Sequence, residues 1–267
     1  MKRNAAVAGQ FYPLRAASIE KQVFSFMEKA AKKVRAVGVV SPHAGYVYSG
    51  AVAGSVYSRI ELVPTYIIIG PNHTGRGKQF SIMSEGEWAM PQGEVPIDAE
   101  LAKSLLRTSE FLEEDFLAHA HEHSIEVQLP FLQCLKQPFT FVPIIASYAE
   151  AGIYQALGKE IAKVIKDCGR DVVIIASSDM THYESQENAQ SKDMKAIQAI
   201  LKLDEKVLID TIEKLDISMC GYAPVSIMLA AAKGLGASAA DLVIYQTCGD
   251  VTGDYSSVVG YAGIIVR

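Results

Sequence analysis

Three of the six histidines in this chain stand just after short apolar runs. Val37-Gly38-Val39-Val40 leads into Ser41-Pro42-His43-Ala44-Gly45-Tyr46, Ile67-Ile68-Ile69 into Gly70-Pro71-Asn72-His73, and Val172–Ala176 into Ser177-Ser178-Asp179-Met180-Thr181-His182. Imidazole is the commonest metal ligand and the side chain that titrates nearest neutral pH, so its recurrence in one setting points to chemistry. One histidine after a strand serves as well to satisfy a turn; the repetition carries the argument. Asp179 and His182 form D-x-x-H, a spacing at which the carboxylate can orient the ring or both groups can face one pocket.

His119, His121 and His123 alternate beside Glu122, and alternate residues of an extended segment share a face. A solvated loop gives the same pattern. Ser124 is a candidate N-cap for a helix over Ile125–Leu135, which would place His123 at a helix N-terminus, lower its pKa and keep the ring neutral. Cys220, in Met219-Cys220-Gly221-Tyr222-Ala223-Pro224, precedes an apolar helical stretch. A thiol at a helix N-terminus ionises more readily and can act as ligand or nucleophile; a buried, inert cysteine is the alternative. Cys134 and Cys168 read as structural, and Cys248 lies in a turn.

These residues need a scaffold, and the hydrophobic pattern supplies one. Val37–Val40, Tyr66–Ile69, Phe139–Ile145, Val172–Ile175, Leu242–Tyr245 and Ser257–Val266 are β-branched runs, most of them apolar on both faces. Helical spacing runs over Ala16–Val34, Ala51–Arg59, Ala99–Leu106, Ile125–Leu135, Ile153–Lys166, Lys192–Leu203, Glu205–Glu213 and Val225–Leu235. The alternation predicts an α/β sandwich with a mostly parallel central sheet, and in such sheets ligands bind beyond the carboxyl ends of the strands. Gly75–Pro96, rich in Gly and Pro, reads as a loop or β-hairpin over one end of the sheet, with Trp88 as a packing residue.

Composition narrows the classes. With 49% hydrophobic and 21% charged residues, 267 residues suffice for a substantial core, and no linker or repeat divides them, so a single domain over 1–267 is expected. Lys and Arg total 25 against 30 Asp and Glu, a net charge of −5, which argues against nucleic acid as a partner. The longest apolar stretch, around Val225–Ala232, falls well short of the roughly 20 residues needed to span a bilayer. With no apolar leader before Pro13, a cytoplasmic location is expected. Four cysteines without a C-x-x-C pair give no zinc ribbon and no disulfide framework.

The motifs together resemble the Memo family. The resemblance rests on Ala8-Gly9-Gln10-Phe11-Tyr12, Pro42-His43-Ala44-Gly45-Tyr46, Gly70-Pro71-Asn72-His73, Glu122-His123-Ser124-Ile125-Glu126 with Leu129-Pro130, Ser177-Ser178-Asp179 with His182, Cys220-Gly221 with Pro224, and Ser256-Ser257-Val258. They span nearly the whole chain in the family's order. The prokaryotic members are known as protein B of the AmmeMemoRadiSam system, which implies a radical-SAM protein as a partner.

The family is similar to class III extradiol (LigB-like) dioxygenases, implying a three-layer α/β sandwich with the site at one end of the sheet. By motif match, His43 and His73 fall at the two histidine ligands of a non-haem iron site, and His182 near the acid–base histidine. Cys220 falls where the dioxygenases have a carboxylate. Two imidazoles and a thiolate favour one redox-active ion, iron or copper, with zinc as a further option, and disfavour Mg²⁺ and Ca²⁺. The implied activity is a metal-dependent redox or dioxygenase-like reaction on a small, aromatic substrate, with His182 as acid–base group, Asp179 orienting it and His123 near the pocket. Animal relatives imply an alternative, binding of a phosphotyrosine-type peptide in the same pocket with Phe11 and Tyr48 among the lining residues. Arg76 is the one arginine near the motifs, and arginine is the usual phosphate reader. A scaffold that has lost activity is the third option.

Overall fold

The computed structural model describes residues 1–267. The N-terminal half runs β1 (Lys2–Asn4), α1 (Ala16–Phe26), β2 (Gly38–Ser41), α2 (Tyr46–Arg59), β3 (Thr65–Pro71), β4 (Phe80–Ile82), β5 (Glu87–Met90), β6 (Gly93–Pro96), α3 (Ala99–Thr108), β7 (Glu113–Glu114), α4 (Leu117–Ala120) and α5 (Leu129–Cys134). Then come β8 (Thr140–Ala146), α6 (Ala151–Cys168), β9 (Val172–Ser177), β10 (His182–Glu184), α7 (Gln186–Leu201), α8 (Glu205–Leu215), α9 (Tyr222–Gly234), β11 (Ala240–Thr247), α10 (Gly249–Thr252) and β12 (Val258–Val266).

The predicted α/β sandwich is present, and its sheet is mixed. The strand order is β10-β12-β2-β9-β3-β8-β4-β7, with β11 also on β12. β2, β9, β3 and β8 form the parallel core. Burial on both faces explains why these four read as continuous apolar runs. β12 is antiparallel to β2, β10 and β11, and β4 is antiparallel to β8. One face of the core is covered by α9, which packs on β2, β3, β8 and β9 and in turn meets α6 and α8; the other is covered by α2, backed by α1 and α5. A contiguous apolar core runs from Tyr12 to Val266.

Local differences from the sequence reading have physical causes. The helix expected over Ala16–Val34 stops at Phe26, whose ring and backbone press on Gly50 and Gly54 of α2, so tertiary packing turns the chain where propensity alone would extend it. The helix expected over Ile125–Leu135 begins as a 3₁₀ turn at Glu126–Gln128 and becomes α-helical only at Leu129. Ser124 is therefore not its N-cap; the hydroxyl donates instead to the Pro71 carbonyl at 3.1 Å. Gly75–Pro96 contains the hairpin β5–β6, which pairs with β1 as a separate three-stranded sheet. Trp88 is buried there with the Arg3 guanidinium 4.1 Å above its ring. No helix is long and apolar enough to cross a membrane.

Candidate metal centre

The register of the parallel core sets the site. Ser41 of β2 pairs with Ser177 of β9, and Ile69 of β3 pairs with Ala176, so all three strands end at one level. His43 and His73 follow two of these ends and Asp179 the third. His123 arrives from the loop before α5, which packs on the end of β3 so closely that a Cβ on Gly70 would strike the Ser124 side chain.

One ring nitrogen from each of His43, His73 and His123 lies within 4.8 Å of the other two. His73 and His123 stack at 4.7 Å between ring centroids, and His43 stands edge-on to both. The backs of two rings are already occupied. His43 Nδ1 is 2.9 Å from Ser177 Oγ. That hydroxyl donates its proton to the Ser124 carbonyl at 2.6 Å and accepts from Gln128 Nε2 at 2.8 Å, so it can only accept from His43. Nδ1 of His43 therefore carries the hydrogen and Nε2 the lone pair. His73 Nδ1 donates to Glu122 Oε1 at 2.9 Å, which leaves its Nε2 free in the same way. A histidine whose rear N–H is held by an oxygen is how proteins orient metal ligands.

Glu122 is fully buried and receives the backbone N–H groups of His73, His123 and Ser124 as well as the His73 ring. Burial alone would raise its pKa, but these bonds and the neighbouring imidazoles hold it down at about 2. Burial pushes His43 well below the ordinary histidine value and His123 to about 4, so both rings are neutral at pH 7. For His123 the cause is burial first, not the helix terminus the sequence suggested. Burial also depresses His73, but the Glu122 carboxylate more than reverses this and its pKa lies above the usual value.

Cys220 stands just before α9, with its Sγ 3.2 Å from His43 Nε2 and 3.3 Å from the Asp179 N–H. The helix terminus does not make it acidic here. Burial and the field of Asp179 push the thiol well above its ordinary pKa. With Nε2 of His43 unprotonated, the S–H points to that nitrogen, and a metal ion would have to displace this proton.

Asp179 accepts from the His43 backbone N–H at 2.7 Å, and burial raises its carboxyl to about pH 6. It does not orient His182: that ring donates from Nδ1 to the Ser218 carbonyl at 2.9 Å, and the His182 backbone N–H donates to Ser218 Oγ at 2.7 Å. Nε2 of His182 is left as a potential base.

A cavity of about 650 Å³ opens over the histidines and is lined by Phe11, Tyr48, Asp179 and His182 together with the three clustered rings. Phe11 lies 4.6 Å from the His123 ring. Cys220 stands beside His43 Nε2 and is not among the lining residues. Arg76 is exposed in the turn after Asn72 and also lies outside the lining, while His119 is buried beside Trp88.

Tyr183, Cys248 and Tyr261 line the cavity too. Tyr183, in the middle of β10, is left unpaired by a register shift and adopts a left-handed φ of 61°. The sequence shows Ser177 in a polar pair closing an apolar strand but gives it no role. Nothing in the sequence marks Gln128.

The donor set fits a metal: three imidazole nitrogens, two with lone pairs fixed toward a common point, and a thiol beside them suit zinc, iron or copper.

The chain's relatives agree with the resemblance seen in its motifs. The family model for Memo-like proteins matches residues 3–265. A MEMO1 family protein of Methanopyrus kandleri is 42% identical over 281 residues, covering 100% of this chain and 99% of its own. One from Methanosarcina acetivorans is 45% identical over 267 residues, covering 99% of both chains. An uncharacterized protein from Escherichia coli K12 has the same fold, with a TM-score of 0.58 at 13% identity over 86% of this chain and all of that one. By whole-length match to the family and its members, the chain belongs to the Memo family.

Proposed function

We propose that the chain is a metal-dependent redox enzyme, dioxygenase-like in its reaction class, acting on a small aromatic substrate bound over the histidines. The observation that carries this reading is the convergence of His43 and His73, their Nδ1 atoms held from behind and their Nε2 atoms turned toward the cluster, that of His43 beside the Cys220 thiol. His43 and His73 supply two ligands. Cys220, 3.2 Å from His43 Nε2, supplies the third once its proton is displaced, and His123 is the nitrogen donor closest to replacing or joining it. A bound iron or copper ion would supply electron transfer at the open position, and zinc only Lewis-acid activation.

The remaining residues handle substrate and protons. Phe11 and Tyr48 provide apolar walls suited to an aromatic ring. His182, with Nδ1 committed to Ser218, offers Nε2 to take a proton from the substrate. Asp179, a carboxyl that titrates near pH 6 beside His43, can hold or release a proton close to neutrality.

The test is metal content after anaerobic loading with Fe(II), Cu(I) and Zn(II) in turn, read by elemental analysis for wild type, His43→Ala, His73→Ala, His123→Ala and Cys220→Ser. The expected result is close to one ion per chain in wild type, lost in His43→Ala, His73→Ala and Cys220→Ser, followed by oxygen uptake with phenolic substrates. Retention in Cys220→Ser with loss in His123→Ala would replace the thiolate by a third imidazole. No stoichiometric metal under any loading would overturn the enzyme reading in favour of a ligand-binding one.

A further inference from the structure

Lys192 and Asp193 are neighbours on α7, and neither lines the cavity. Asp193 is fully buried on the inner face of the helix. Its Oδ1 accepts from the Thr181 backbone N–H at 2.9 Å and its Oδ2 from the Tyr245 hydroxyl at 2.8 Å. Oδ2 also lies so close to Gly260 of β12 that a Cβ there would come within 2.0 Å of it, so glycine at this position leaves room for the carboxylate. Burying a carboxylate is costly unless its oxygens are bonded, and here both are spent on holding other segments. Lys192, 26% exposed, donates from Nζ to Glu184 Oε1 at 2.6 Å and to the Asp216 carbonyl at 3.1 Å.

These contacts fall on both sides of His182. Thr181 precedes it and is tied to β12 as well, its carbonyl accepting from the Gly260 N–H at 2.9 Å while the Gly260 carbonyl accepts from Met180 at 2.8 Å. Glu184 follows it, and between them Tyr183 is unpaired with a left-handed φ, so ladder pairing does not carry the strand evenly past His182. Asp216 stands two residues before Ser218, whose hydroxyl and carbonyl receive the His182 backbone N–H and ring Nδ1. Two adjacent side chains of one helix therefore hold the three segments that decide how the ring stands.

We propose that Lys192 and Asp193 are positioning residues for His182: by holding Thr181, Glu184 and Asp216 they keep Nδ1 of the ring on the Ser218 carbonyl and leave Nε2 as its free nitrogen. A ring released from Ser218 can carry its hydrogen on either nitrogen, because the tautomer is set by the bond that one nitrogen makes. The proposal rests on the reading above for what Nε2 does with a proton, but the positioning itself requires neither metal nor substrate.

The readout is the tautomer of His182, seen in the ring nitrogen shifts of labelled histidine in the full chain after chelator dialysis, with its signals assigned from His182→Gln. In wild type, at a pH above its titration, the two ring nitrogens are expected at widely separated positions, as for one tautomer with the hydrogen on Nδ1. Asp193→Ala and Lys192→Met draw the two resonances together as the second tautomer becomes populated. Asp193→Asn restores the wild-type pattern, because its amide oxygen still accepts from Thr181 and its N–H groups can donate to the Tyr245 oxygen. A role in stability alone would lower the melting temperature and leave the pattern untouched.

A wild-type pattern in Lys192→Met or in folded Asp193→Ala overturns the proposal, as does a mixed pattern in wild type or a failure of Asp193→Asn to restore it. Lys192→Met, at a partly exposed position, decides alone if Asp193→Ala does not fold. Loss of the single tautomer in variants of a protein that takes up no metal keeps the proposal and removes the enzyme reading. An unchanged tautomer in variants of a protein that loads metal and consumes oxygen does the reverse.

Discussion

Glu122 holds His73 at both ends: Oε2 accepts from the His73 backbone N–H at 2.6 Å and Oε1 from its ring Nδ1 at 2.9 Å. Because Oε1 also receives the N–H groups of His123 and Ser124, one carboxylate fixes two of the three clustered histidines relative to each other. The geometry of the centre thus depends on a residue that would never touch the metal.

Glu122→Gln keeps the shape but puts an amide where four N–H groups need an acceptor. Metal affinity is expected to fall by about 10- to 100-fold, the usual cost of losing such a partner, as read by competition with a chromophoric chelator. An unchanged affinity would mean that packing alone orients His73.

Ser177→Ala removes the acceptor for His43 Nδ1 and for one N–H of Gln128 Nε2, whose other bond goes to the Pro42 carbonyl. The same chelator assay should show a loss of similar size. The ring's tautomer should also cease to be unique, seen in the nitrogen shifts of labelled histidine.

Arg3 and Glu126 form an ion pair with both side chains fully buried. Arg3 also donates to the carbonyls of His119 and Glu122, and Glu126 accepts from Tyr12 and from the backbone of Ala6 and Val7. Breaking one side leaves the other charge unpaired, so Arg3→Met is expected to cost about 3 to 5 kcal/mol in urea unfolding. Glu126→Gln should cost a comparable amount, and the double variant less than the sum of the two.

His119 is buried and neither ring nitrogen makes a hydrogen bond. Burial, with Arg3 next, lowers its pKa to about 3, against the opposing pull of Asp115 and Glu122. A histidine depressed in the folded state contributes stability that is full above the unfolded value near 6.5 and is lost as pH falls toward 3. The slope from this group approaches about 1.4 kcal/mol per pH unit within that window. His119→Leu should flatten the curve of unfolding free energy between these limits without lowering stability at pH 7; an unchanged slope would refute the assignment.

Tyr183 holds a left-handed φ of 61° while its side chain is largely exposed. Asparagine tolerates this region better, so Tyr183→Asn is expected to stabilise by up to about 1 kcal/mol in thermal unfolding. If oxygen uptake with phenolic substrates weakens at the same time, the strain is maintained for the cavity rim.

Much of this arrangement was legible in the sequence because the parallel core is apolar on both faces and its polar caps stand out. His43, His73 and Asp179 could be placed at strand ends for that reason. Strand β4 and the hairpin β5–β6 were harder to read because they lie in Gly- and Pro-rich sequence and owe their pairing to residues far away, β4 to β8 and β5 to Lys2–Asn4. Cys220 was legible as a site neighbour but not in its acidity, because a helix N-terminus is a local signal and the burial that opposes it is not. Tyr261 was hidden in a run that reads simply as a buried strand, and only the fold shows that it lines the cavity.

The position of β12 bears on the order in which the protein is made. This strand lies between β11 and β2 along Ile264–Val266, so that edge of β2 remains unpaired and apolar until β12 has been made. The contacts that complete the centre span the chain in the same way, joining Arg3 to Glu126 and His43 to Cys220. Such distant pairings make for slow closure and a long-lived sticky intermediate. A chain cut before β12 would have both helical layers and all the histidines, yet would expose the strand beside His43 and be prone to aggregate rather than fold.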